Sequence, residues 1–235
     1  TRFATLSLYG ADQLRFFLFP TRLESLIRAT ILSSWPRGIS SSSTTSVYLD
    51  FRLKGLPWGT STTEMRLIRN AMGDYGVEQS IQSKRLVCSI LAALRREGWM
   101  LTLTTDISKS PHDKDTLVFQ HQTPAPAPCD WISIAFSGTN RLRFIDAPME
   151  LCEAVIKRLG KAVEKHKRIP RVEGAYELKL QGVGWGVLVD DLKTRWLVMD
   201  LLEVMEDWGW SVYASVDQKL GFEDKDSWHC YRVNG

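Results

Sequence analysis

Apolar and polar residues alternate along Phe3–Tyr9 and again along Trp131–Phe136, the period of a half-buried strand. Turn residues follow each run, Gly10-Ala11-Asp12 in one and Gly138-Thr139-Asn140 in the other, so the next run returns as a hairpin partner. The period then changes. After Pro20 and Pro148, Leu23, Ile27 and Ile31 in one stretch and Leu151, Val155 and Leu159 in the other recur every four residues, which predicts two amphipathic helices. Thr21 with Glu24 is a candidate capping box for the first of them. Alternation resumes in VYLDFRLKG (47–55) and AYELKLQG (175–182). A second helical line follows, Leu86, Ile90 and Leu94, matched by Leu197, Leu201 and Met205. Gly98 and Gly209 end it, where positive φ is needed. Strands over Trp99–Thr105 and Trp210–Val216, a polar loop, and strands over Asp115–His121 and Asp226–Val233 close each series.

The same order therefore occurs twice, and the residues align as well as the periods. At a shift of 128, Gly10, Leu14, Arg15, Phe16 and Pro20 meet Gly138, Leu142, Arg143, Phe144 and Pro148. Five identities in eighteen positions compare with roughly one expected by chance. At a shift of 127, LKGLPW (53–58) lies over LQGVGW (180–185), and at 111, residues 98–116 lie over 209–227 without a gap. This is a tandem duplication. The predicted fold class is α+β: two β-β-α-β-α-β-β modules, each a mixed sheet with two helices packed on one face. The expected division is a first repeat over 1–122 with an insertion at 59–84, a Pro/Ala linker at 123–129, and a second repeat over 130–235. The insertion has a helix-like centre from Met65 to Met72 with Gly73 as its C-cap, and ISSSSTTS (39–46) reads as a flexible loop.

Composition adds little to this. The apolar share of 44% and charged share of 24% are those of an ordinary globular chain, and a net charge of +3 does not by itself call for nucleic acid. No run is long and apolar enough for a membrane span, and no secretory signal opens the chain, so an intracellular, cytoplasmic protein is expected. Cys88, Cys129, Cys152 and Cys230 lack metal-site spacing, and Cys88 and Cys230 align with Met199 and Phe119, as small core hydrophobes would.

Three features carry candidate chemistry. The first is the acidic loop, Asp106, Asp113 and Asp115 in one copy and Asp217, Asp224 and Asp226 in the other. Carboxylates of this density suit a hard cation, but Lys114 and Lys225 interrupt them and no EF-hand spacing is present, so turns capped by Asp side chains are the favoured reading. The second is aromatic. Trp58 and Trp185 occupy equivalent strand ends and are candidate stacking platforms, with packing back over the sheet edge or core the favoured reading, while Trp208, in the place of Glu97, is a candidate contact residue. The third is the basic run 157–171, with Lys157, Arg158, Lys161, Lys165, Lys167, Arg168 and Arg171. It suits an anionic partner such as RNA, DNA or a phosphoinositide head group, or else is the solvated end of a helix. No nucleophile elbow, P-loop, dinucleotide fingerprint or HExxH is present, and no cofactor is implied. The sequence thus points to a non-catalytic binding or scaffolding protein whose partner is another protein. An anionic ligand is the alternative, and an enzyme with a carboxylate-lined site comes third.

Overall fold

The computed structural model describes residues 2–58, 74–105, 115–181, 185, 191–218 and 225–234. The first repeat runs β1 (Phe3–Tyr9), β2 (Gln13–Phe17), α1 (Glu24–Ser34), β3 (Ile39–Thr44), β4 (Tyr48–Leu53), α2 (Asp74–Arg96), β5 (Trp99–Thr105) and β6 (Thr116–His121). The second runs β7 (Cys129–Ser137), β8 (Arg141–Ile145), α3 (Met149–Leu159), β9 (Val163–Arg168), β10 (Ala175–Leu180), α4 (Asp191–Asp207), β11 (Ser211–Val216) and β12 (Ser227–Val233). Each repeat forms its own six-stranded sheet, in the orders β3-β4-β2-β1-β6-β5 and β9-β10-β8-β7-β12-β11. Element for element the two orders are the same path, so the duplication holds in topology as well as in sequence.

The α+β tandem architecture agrees with the sequence, and three details differ. Each repeat has six strands rather than five, because 39–44 and 163–168 pair with β4 and β10. The strand pairings among the described residues are antiparallel rather than mixed. The capping box does not form: a 3-10 turn over Thr21–Leu23 precedes α1, and Glu24 accepts a bond from Arg28 one turn on. The expected helix over Met65–Met72, its Gly73 cap and Gly182 lie outside the described residues.

Contacts divide the chain into two units, Thr1–Pro128 with Val216–Gly221, and Cys129–Ser215 with Phe222–Gly235. In each, alternate strand residues meet the helices on one face. The first core joins Leu6, Phe16, Phe51 and Phe119 to Ile27 and Ile31 of α1 and to Leu86, Ile90 and Leu94 of α2. Phe16 meets Phe51 edge-to-face at 6.0 Å, a favoured aromatic geometry. The second core joins Ile132, Ile134, Leu142, Phe144 and Leu178 to Leu151 and Val155 of α3 and to Leu197, Leu201 and Met205 of α4. Trp99 and Trp210, which follow the helix-ending glycines, are buried in their respective cores.

The short segment Val216–Gln218 completes the first unit. Lys84 Nζ donates to the Gln218 carbonyl (3.3 Å), and Gln218 Nε2 donates to the Ser83 carbonyl (2.8 Å). The Asp217 amide donates to the Asp115 carboxylate at 2.6 Å. Lys84 and Gln218 are both fully buried, which requires such partners.

Candidate interaction surface

On the sheet face opposite the helices, both repeats carry the same ion pair. Arg15 on β2 faces Asp50 on β4 as a register partner, and Arg143 on β8 faces Glu177 on β10 in the same way. Arg15 Nε and Nη2 donate to the two Asp50 oxygens at 2.9 and 2.8 Å, a bidentate fork between the Tyr9 and Tyr48 rings. In the second repeat, Arg143 Nε and Arg141 Nη1 donate to the two Glu177 oxygens at 2.8 and 2.7 Å. Burial alone would push the Glu177 carboxyl up; the Arg143 bond and the charges of Arg143, Arg141 and Lys167 outweigh it, holding the carboxyl below its ordinary range. The signal for this pair is in the alignment: Arg15 falls on Arg143, and Asp50 on Glu177.

Ser133 Oγ and His229 Nδ1 meet at 2.9 Å across β7 and β12. Nucleophilic catalysis would need this pair to reach a substrate, yet both side chains are fully buried. The bond therefore satisfies two polar groups placed on a covered sheet face. Among the described residues no cluster of three or more His, Cys, Asp or Glu side chains is arranged to hold a metal ion.

Among the described residues, the two most exposed large apolar side chains, Trp196 and Leu192, stand on α4. Trp196 is 71% exposed, Leu192 66% and Met199 49%, at the spacing of one helix face. A groove of about 330 Å³ lies beside them, lined by Leu159, Ala162, Gln181, Lys193, Trp196 and Asp200. Arg158 Nε donates to Asp200 at 2.7 Å, and Arg158 also bonds Glu203, fixing α3 to α4 next to this groove. The equivalent positions in α2 are Ile81, Arg85 and Cys88; Ile81 and Cys88 are buried. The two repeats thus present opposite solutions at one place in the fold. Trp196 could have been found by asking which copy puts Trp where the other has Arg.

The sequence-predicted residues are dispersed. Trp58 is fully buried, and its amide bonds the Ala11 carbonyl at 3.1 Å; Trp185 bonds the Thr139 carbonyl in the same manner at 2.8 Å. Trp185 is half-buried, with its ring 4.8 Å from Phe136. Full burial leaves the Trp58 indole in packing, and the Trp185 ring packs against Phe136. Trp208 stands 38% exposed beyond the end of α4. Of the acidic loops, Asp106, Asp113 and Asp224 lie outside the described residues. Asp115 accepts the Asp217 amide at 2.6 Å, and Asp226 accepts the Ser215 hydroxyl at 3.3 Å. The basic run is divided: Lys157 and Arg158 end α3, Lys161 lies in a 3-10 turn, and Lys165, Lys167 and Arg168 lie on β9. Lys157 and Arg158 are thus the exposed end of a helix, while Lys165, Lys167 and Arg168 belong to an edge strand.

Fold and surface together define a tandem pair of six-stranded antiparallel α+β modules. One family model, described only as a domain, matches the chain twice, over residues 2–120 and 130–231. The chain belongs to that domain family and carries two copies of its domain. No curated protein and no solved structure matches it. Among the described residues, no helix is long and apolar enough to cross a membrane.

Proposed function

We propose that this is a non-catalytic tandem-repeat protein that binds another protein, with the outer face of α4 as a contact surface. The observation that carries the reading is the trio Leu192, Trp196 and Met199, exposed on one helix face beside a groove. Covering Trp196 alone would remove on the order of 150 Å² of apolar surface from water, a gross gain of about 4 kcal/mol. Aromatic anchors beside a pocket are the usual energetic centre of an interface. The divergence of this face from its equivalent on α2 fits a duplicated scaffold in which one copy kept a buried helix and the other turned it to recognition.

The test compares tagged full-length protein with the double variant Leu192→Asp/Trp196→Asp, each recovered from cells of its source. The expected result is a partner held in stoichiometric amount by the unaltered chain and lost from the variant, with both melting at similar temperatures. Identical sets of recovered proteins would remove α4 as the contact surface.

A further inference from the structure

The edge of the second sheet carries an inference of its own. β9 lies at the end of the strand order, with β10 as its neighbour, and Glu164–Arg168 are all exposed. Its sequence, VEKHKR, is strongly basic. Glu164 is taken up by Lys179 at 2.8 Å. Lys167 lies 3.9 Å from Glu177, whose two oxygens already receive Arg141 and Arg143 at shorter range. The strand therefore keeps an excess of positive charge at its free edge.

Its backbone is also open. The Ile169 amide bonds the Ala175 carbonyl at 2.9 Å. Antiparallel alternation then directs the amide and carbonyl of Lys167 toward β10, and those of His166 and Arg168 away from it. On the side-chain faces, Lys165 and Lys167 stand beside Lys179 and Glu177, while His166 and Arg168 stand beside Leu178 and Tyr176. An incoming strand would meet outward backbone groups and cations on both faces.

We infer that β9 is a docking edge for an acidic, extended segment of a partner protein, which joins the second sheet as a seventh strand. Charge selects this occupant. Two copies of β9 would repel one another, which is how lysines ordinarily blunt a sheet edge, whereas an acidic strand removes the repulsion and uses the open ladder. In the first sheet, the same place is filled by β3, whose ISSSST offers a similar edge without charge, so the two edges are distinguishable to a partner. The inference deepens the protein-binding reading but uses a surface apart from α4, so either can fail alone.

The probe is a fluorescein-labelled octapeptide of alternating Glu and Thr, titrated into the full chain by anisotropy at low and physiological salt. Controls are the same peptide N-methylated at every residue, a uridylate octamer, and vesicles one-third anionic in lipid. Binding is expected for the unmodified peptide, and about tenfold loss or more on full N-methylation, because every ladder donor is then removed in any register. Lys165→Glu/Lys167→Glu should abolish binding. His166→Pro should weaken it similarly, since that amide faces outward and proline is tolerated at such edge positions. Amide exchange of the complex is expected to slow at His166 and Arg168, and this reading stands even where the proline variant fails to fold. Equal affinity for the N-methylated peptide, or no slowing at those two amides, overturns strand addition. Binding of the uridylate or the vesicles with none of the peptide replaces it with recognition of nucleic acid or lipid.

Discussion

Arg143 and Glu177 show how much a single pair position can differ between two copies of one fold. Glu177 is almost fully covered and takes two guanidinium bonds, whereas the Arg15 side chain of the equivalent pair is 43% exposed. Deleting one member of a covered pair strands the other charge, so Glu177→Gln should destabilise by roughly 3 kcal/mol, and Asp50→Asn by about 1 kcal/mol or less. Urea titration of both variants checks this ordering; equal midpoint shifts would mean that exposure does not govern the cost. The pH dependence follows with a definite sign. A carboxyl whose folded pKa is depressed contributes stability that is present above its unfolded pKa and is lost as pH falls through the folded value. Stability should therefore fall less between pH 6 and pH 3 (both about) in Glu177→Gln than in the unaltered chain. The cysteines give another reading at this scale. Burial pushes the Cys152 thiol up to about 12, and Cys88 and Cys230 are also buried, while Cys129 is half-buried. A maleimide should label Cys129 first in the native protein and the other three after unfolding, as intact-mass analysis would show. Prompt labelling of Cys152 or Cys230 would contradict that burial. The buried character of Cys230 was legible from its alignment with Phe119, whereas Cys88 aligns with the exposed Met199, and the contact within the Arg–carboxylate pair was not legible. Alignment showed which residues correspond, and only strand register shows which of them touch.

At the scale of elements, what the sequence revealed depended on whether an element has a buried face. β1 matches its expected range because it places alternate residues in a core, and alternation is visible. β3 and β9 were missed for the complementary reason. In ISSSST and VEKHKR, burial shows no two-residue period, since both are edge strands with nearly every residue exposed. Sheet edges are held by backbone bonds, which leave no mark on side-chain choice. Helix ends fared better. Gly98 and Gly209 adopt φ of 82° and 74°, as their positions after the second helical line required. Their surroundings differ, however. A Cβ at Gly98 would lie 2.5 Å from the Gln122 carbonyl oxygen, whereas at Gly209 it would meet only Arg232 side-chain carbons at 3.6 Å. Gly209→Ala should thus cost about 1 kcal/mol, the strain of positive φ alone. Gly98→Ala should cost distinctly more, because backbone must move as well. Urea midpoints for the two variants test this, and a larger loss at Gly209 would refute it.

At the scale of the whole molecule, the duplication was legible and the division of the chain was only partly so. A linker between repeats suggests a cut near residue 128, yet Val216–Gly221 falls with the first unit. Nothing in the periodicity of either repeat signals this, because the reason is a polar one. Lys84 is fully buried on α2, and its ammonium is met by Ser80 Oγ and the Gln218 carbonyl, each at 3.3 Å. Gln218 in turn holds the Ser83 carbonyl at 2.8 Å, and Asp217 holds Asp115. A chain ending at Pro128 would lose all three bonds and expose the part of α2 that they seal. Leaving buried polar groups unsatisfied costs about 1–3 kcal/mol for each group, and more where the group is charged. The fragment 1–128 should therefore unfold at a lower urea concentration than the intact chain does, as followed by exchange of α2 amides. In the intact chain, Gln218→Ala should reproduce part of that loss, by about 1–2 kcal/mol, through the Ser83 carbonyl alone. Adding residues 210–222 to the fragment as a free peptide should recover part of its stability by mass action, in proportion to peptide concentration. A fragment whose α2 amides are as well protected as those of the intact chain would show that the first repeat is complete without this segment.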